Sequence, residues 1–174
     1  MVSGNVLAGF QEFLDANDQS SHSSATSPQD VLTGWARPPT GTVKINVDAA
    51  TSKHKGGMAT GAVARDSSGK VIGISTCCVD GIISSRVAEA WAIREGLQLG
   101  MALSLGRIVV ESDAEAIVRC CSNTKDPPLD VAVIVQDVQT ISACFTNCKV
   151  LRSQHPPDLP VKKLSLDLDV LRQK

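Results

Sequence analysis

T-V-K-I-N-V-D-A-A, residues 42–50, alternates the β-branched Val43, Ile45 and Val47 with the polar Lys44, Asn46 and Asp48. A repeat of two carried by β-branched side chains predicts a strand with one buried face. The strand ends on a carboxylate. Asp48 leaves the pleat opposite Val47, and the small Ala49 and Ala50 after it leave room for something to approach the carboxyl group.

Downstream, residues 58–65 read as a second strand, D-S-S-G at residues 66–69 as a hairpin turn, and residues 70–78 as a returning third strand. The three form an antiparallel meander. Across residues 84–104 the period changes: Glu89, Ala92, Ile93, Gly96, Leu99, Gly100 and Leu103 recur at steps of three and four, predicting the longest helix. Gly96 and Gly100 each cost about 1 kcal/mol of helix propensity against alanine, which points to close packing of helix on sheet. Gly106 stops the helix, and R-I-V-V-E-S-D, residues 107–113, is a short buried strand ending on Asp113. Helices over residues 114–121 and 129–144 are parted by the breaker N-T-K-D-P-P, and residues 148–151 supply a last strand. This order predicts an α/β fold on a mixed five-stranded sheet, three antiparallel strands and then parallel ones, flanked by helices.

The flanks differ in character. Val6, Leu7, Phe10, Phe13 and Leu14 lie at helical spacing, so residues 5–17 predict a short amphipathic helix. The serine-rich residues 18–33 bury too little to offset their ordering entropy and read as a flexible linker. Trp35, Pro38 and Pro39 open the folded part in extended conformation. From residue 153 the pattern is lost: Q-H-P-P-D-L-P breaks any helix, and K-L-S-L-D-L-D-V-L alternates like a strand with no obvious partner. The expected organisation is therefore residues 1–34 as helix and linker, 35–152 as one domain, and 153–174 as a divergent tail.

Composition narrows the function. The 174 residues are 43% hydrophobic and 20% charged, ordinary for a globular protein, with no apolar run long enough to span a bilayer. No signal-peptide pattern opens the chain, so an intracellular place, nucleus or cytoplasm, is expected. A formal net charge of −1 excludes a global basic footprint, and any contact with a polyanion must be local. Cys77, Cys78, Cys120, Cys121, Cys144 and Cys148 are expected to be reduced thiols; a zinc site using Cys144 and Cys148 is the sharper alternative, but no C-x-x-C spacing supports it.

Asp48, Glu89 and Asp113 arrive from three elements, and each has a plain structural role open to it. Asp113 stands where a helix N-cap would. Asp48 could initiate a loop. Glu89 shares the stripe that faces the sheet, where an inward carboxylate is costly unless it binds something. Together the three offer the oxygen ligands that Mg²⁺ takes, and such sites serve in-line phosphoryl displacement.

The motifs G-T-V-K-I-N-V-D-A-A, G-A-V-A-R-D-S-S-G-K, V-A-E-A-W-A-I-R-E-G-L and V-V-E-S-D-A follow in the order and spacing of the ribonuclease H fold. With W-A-R-P-P-T-G ahead of them, the chain most resembles the plant ribonuclease H-like domains found at the ends of non-LTR retroelement reverse transcriptases and as free-standing genes. The likeness covers residues 35 to about 152. It implies that Asp48, Glu89 and Asp113 are catalytic and hold Mg²⁺ or Mn²⁺, and that the activity is endonucleolytic hydrolysis of the RNA strand of RNA/DNA hybrids. The family completes its site from a last helix carrying Asn followed by Ala-Asp or Ala-His. Here the chain departs: after Leu151 and Arg152 it reads S-Q-H-P-P-D-L-P, and neither His155 nor Asp158 matches that motif. An alternative is therefore an inactive, retroelement-derived nucleic-acid-binding or interaction module.

Lys53, His54 and Lys55, in a glycine-bearing loop after Asp48, are the expected nucleic-acid contacts. The chain has no tyrosine, and Trp91 is expected to pack rather than to stack on bases. Nothing in the sequence sets the oligomeric state.

Overall fold

The structure, a computed structural model, describes residues 36–52, 54, 56–81 and 84–153. The helix expected over residues 5–17, the linker, Trp35, Lys53, Lys55 and the tail beyond Ser153, with His155 and Asp158, lie outside them. The elements are β1 (Val43–Ser52), β2 (Gly57–Arg65), β3 (Val71–Asp80), α1 (Ser85–Ala102), β4 (Arg107–Ser112), α2 (Glu115–Cys121), α3 (Ala132–Ser142) and β5 (Asn147–Arg152). The sheet order is β3-β2-β1-β4-β5. β2 pairs antiparallel with both β1 and β3, while β4 pairs parallel with both β1 and β5. This is the mixed five-stranded sheet expected from the sequence.

Local chemistry fixes the connections. At the β2–β3 turn the Asp66 carboxylate accepts from the Ser68 amide at 2.9 Å, the Ser68 hydroxyl at 2.6 Å and the Lys70 amide at 3.0 Å. Gly69 completes the turn at φ 88°, a conformation that glycine adopts without penalty. Ser84 caps α1, its hydroxyl oxygen accepting from the Val87 amide at 3.4 Å.

The main core lies on one face of the sheet, where Ile45, Val47, Ala62, Ile108 and Val110 meet side chains of all three helices, among them Ile93, Ile117 and Val138. The opposite face carries a small apolar cluster of Val63, Val71 and Ile74. Gly96 sets the helix-to-sheet distance. A Cβ there would lie 2.6 Å from Cγ1 of Val47 and 3.4 Å from Cγ2 of Ile45, so α1 approaches β1 more closely than a larger residue would permit. At Gly100 the same test meets the Phe145 ring at 3.2 Å.

Four features differ from expectation. β1 is buried on both faces: Lys44, Asn46 and Asp48 are only 5–6% exposed, because β1 is the central strand and its polar side chains find partners there. β1 also runs past Asp48, since Ala49 to Ser52 continue the antiparallel ladder against Thr60 to Gly57. The buried stripe of α1 is wider than predicted and includes Ala88, Ala90 and Leu97, because the helix packs on both the sheet and α3. α3 starts three residues later than expected: the Val131 amide donates to the Pro128 carbonyl at 3.1 Å in a turn that leaves Leu129 exposed. Among the described residues no helix is long and apolar enough to cross a membrane.

Candidate functional site

The β1–β4 register brings two carboxylates level. The last parallel pair is Asn46 with Glu111, so Asp48 and Asp113 each stand two residues further on, where the strands part. The third comes from α1. Gly96 sits on Val47, and Glu89 lies seven residues earlier, about 10 Å along the helix axis. One carboxylate oxygen from each of Asp48, Glu89 and Asp113 falls within 4.8 Å of the others. Asp48 is buried, Glu89 half-buried and Asp113 exposed, so the cluster opens toward solvent on the Asp113 side.

The plain structural roles do not describe the strand-borne members. Asp113 does not cap α2: the N-cap position is Ala114, with no side-chain capping bond. The chain turns there through the Ser112 hydroxyl, which accepts from the Ala114 amide at 3.2 Å. Asp48 is held within a paired ladder rather than at the start of a loop. Three like charges at this spacing repel by about 3 kcal/mol per pair at an effective dielectric of 20. A divalent cation relieves that repulsion, and three carboxylate oxygens are the hard donors that Mg²⁺ and Mn²⁺ prefer. The donor set therefore fits such an ion. Among the described residues no other group of His, Cys, Asp or Glu side chains converges in this way, and no fourth carboxylate joins the three.

Sequence reasoning missed the frame beneath the cluster. The two oxygens of Glu111 are both engaged: Oε1 lies 2.8 Å from Nζ of Lys44, and Oε2 accepts from Nδ2 of Asn46 at 3.2 Å. Lys44 also donates to the Ala36 carbonyl at 2.7 Å. The signal was present, because the repeat of two places Lys44 and Asn46 on the same side of β1 as Asp48. A strand with one buried face leaves these side chains toward solvent, whereas the structure buries them.

The other expected contacts are more dispersed. His54 occupies an exposed turn between β1 and β2, and Lys53 and Lys55 lie outside the described residues. Because β1 continues to Ser52, the strand ends four residues beyond Asp48, about 13 Å along it, and the loop follows from there rather than beside the carboxylate. Trp91 is half-buried, with the Arg94 guanidinium 5.4 Å from its ring centroid, and Arg94 Nε lies 3.2 Å from Oδ2 of Asp137 on α3. The six cysteines are free thiols. Burial pushes the Cys121 thiol up to about 12, with Cys120 adding to the rise. Where the family's final helix would follow, β5 ends in Arg152, paired with Glu115 at 2.8 Å, and the Ser153 amide donates to the Ser112 carbonyl at 2.8 Å.

Comparison with known proteins agrees with this geometry. The model of the reverse transcriptase-like family matches residues 46–152. An Arabidopsis thaliana protein, named provisionally as a ribonuclease H protein, is 32% identical over 117 residues, 67% of this chain. The chain spans only 16% of that relative's length. Among solved structures, ribonuclease H1 of the halophilic archaeon Halobacterium salinarum superposes with a TM-score of 0.69 at 16% identity, covering 75% of this chain and 99% of that one. The N-terminal ribonuclease H domain of a Mycobacterium tuberculosis protein gives 0.67 at 20% identity, covering 76% and 96%. A ribonuclease H1 isolated from compost, solved with an RNA/DNA hybrid, gives 0.65 at 16% identity, covering 74% and 99%. The chain carries a ribonuclease H-like domain and belongs to the reverse transcriptase-like family.

Proposed function

We propose that this domain is a metal-dependent endonuclease that hydrolyses the RNA strand of RNA/DNA hybrids, with Asp48, Glu89 and Asp113 as ligands for Mg²⁺ or Mn²⁺. The observation that carries this reading is the convergence of three carboxylate oxygens within 4.8 Å from β1, α1 and the end of β4. Membership of the family and the hybrid bound to one solved relative point to the same substrate class.

Each residue has a definite part. Asp48, buried and fixed in the central strand, sets the floor of the site and cannot swing away from a bound ion. Glu89 is carried by a helix that Gly96 seats directly on β1, so its distance from Asp48 follows from backbone packing. Asp113, exposed, faces the side from which substrate and water arrive. When bound, a divalent cation supplies an activated water and neutralises charge on the scissile phosphate. Lys53, His54 and Lys55, which follow β1 in the sequence, contact phosphates of the hybrid.

The purified chain is expected to release short RNA fragments from a labelled hybrid in the presence of Mg²⁺ or Mn²⁺, and Asp48→Asn to abolish the release. Cleavage by Asp48→Asn at the wild-type rate overturns the assignment. One feature of the sequence favours a second reading: after Arg152, the last residue of β5, the chain reads S-Q-H-P-P-D-L-P in place of the family's Asn followed by Ala-Asp or Ala-His. A module that binds hybrids without cutting them follows from that, and the same assay separates the two when hybrid retention is measured alongside product release.

A further inference from the structure

We infer that Glu111, held by Lys44 and Asn46, is a positioning residue that sets the spacing of Asp48 and Asp113 and so tunes the affinity of the metal centre. The inference rests on the metal reading above. Glu111 and Asn46 are the last parallel pair of β1 and β4, and beyond them the two strands diverge. At that rung a single carboxylate spans both strands, one oxygen on Lys44 at 2.8 Å and the other accepting from Asn46 at 3.2 Å. Asp48 and Asp113 follow two residues later, without a backbone ladder between them. Their separation is therefore inherited from the rung below.

The chemistry of the group also points to placement. The Lys44 and Glu111 side chains are 8% and 14% exposed, and a buried ion pair often contributes no more stability than apolar residues of the same size. What an ion pair supplies and an apolar pair does not is a fixed, directional geometry across the strands. Lys44 extends the frame to the approach segment through the Ala36 carbonyl.

Calorimetric titration of the full chain with Mn²⁺, read beside thermal denaturation without metal, tests this. Glu111→Ala is expected to weaken Mn²⁺ binding by about 10- to 100-fold, the usual effect of removing a group that orients metal ligands. Glu111→Gln keeps a carbonyl acceptor for Lys44 and, with the Asn46 amide turned to present Oδ1, a cross-strand hydrogen bond, and is expected to stay close to wild-type affinity. Should Glu111→Ala not fold, the double variant Lys44→Met/Glu111→Leu fills the same space without charge. It is expected to denature near the wild-type temperature and still lose Mn²⁺ affinity, a combination that a merely structural role does not produce. Wild-type affinity in folded Glu111→Ala, or in the Lys44→Met/Glu111→Leu double variant, overturns this inference alone. Failure of the wild-type chain to bind Mn²⁺ overturns the metal reading and this inference with it.

Discussion

Gly96→Ala inverts a familiar expectation. Replacing glycine by alanine inside an exposed helix stabilises by about 1 kcal/mol. At position 96 the added Cβ lies 2.6 Å from Cγ1 of Val47, 3.4 Å from Cγ2 of Ile45 and 3.5 Å from Cγ1 of Val110. Val47 is β-branched, 3% exposed and fixed in the central strand, so its χ1 cannot relax without disturbing the sheet. Overpacking of this kind costs about 1–3 kcal/mol, which cancels or outweighs the propensity gain of about 1 kcal/mol and leaves a net loss of up to about 2 kcal/mol. For a folded part of this size the melting temperature falls by about 4 °C per kcal/mol. Urea denaturation at constant m-value is the assay. Val47→Ala alone costs about 2 kcal/mol in lost burial and cavity. The double variant Gly96→Ala/Val47→Ala should cost less than the sum, because the new methyl enters the space that Val47 vacates. A Gly96→Ala variant that is more stable than wild type by about 1 kcal/mol would refute the seating of α1 on β1, and with it the explanation of where Glu89 stands.

Three further outcomes follow from particular groups. Burial raises the Glu95 carboxyl above its ordinary value, so the native state holds its proton where the unfolded chain has released it. Stability then falls as pH rises through the window above the ordinary glutamate value, and Glu95→Gln should flatten that slope in denaturation curves taken between pH 4 and 7. Thiol labelling of the native chain should proceed first at the exposed Cys144 and last at the buried Cys120 and Cys121; mass spectrometry of the labelled peptides gives the order. The Arg152–Glu115 pair is half-exposed on both sides, so Glu115→Ala should change stability by at most about 1 kcal/mol, and less at high salt.

The five strands, their order of direction and the three helices were legible because each element carries its own period and its own stop: alternation in residues 42–50, steps of three and four around Ile93, Gly106 after the long helix. The three carboxylates were legible for the same reason: the alternation of β1 sets Asp48 opposite Val47, the helical stripe of α1 carries Glu89 toward the sheet, and Asp113 directly follows the apolar run of β4. Whether a strand lies in the centre or at the edge of a sheet is not written in its own residues. The alternation in β1 therefore suggested one buried face, whereas β2 and β4 on either side, and a buried partner for Lys44, closed both. The Glu111 frame escaped notice because cross-strand pairing depends on register, which arises only when β1 and β4 meet. The width of the α1 stripe was likewise decided by α3, a neighbour the local pattern does not reveal.

The most direct measurement counts bound Mn²⁺ by its electron paramagnetic resonance signal, in the wild-type chain and in Asp48→Asn, Glu89→Gln and Asp113→Asn. If the three side chains hold one ion between them, the wild-type chain removes Mn²⁺ from solution saturably and each single variant weakens that binding by at least about tenfold. Equal binding by the wild-type chain and all three variants would contradict a shared site and remove the basis for hydrolysis at this end of the sheet.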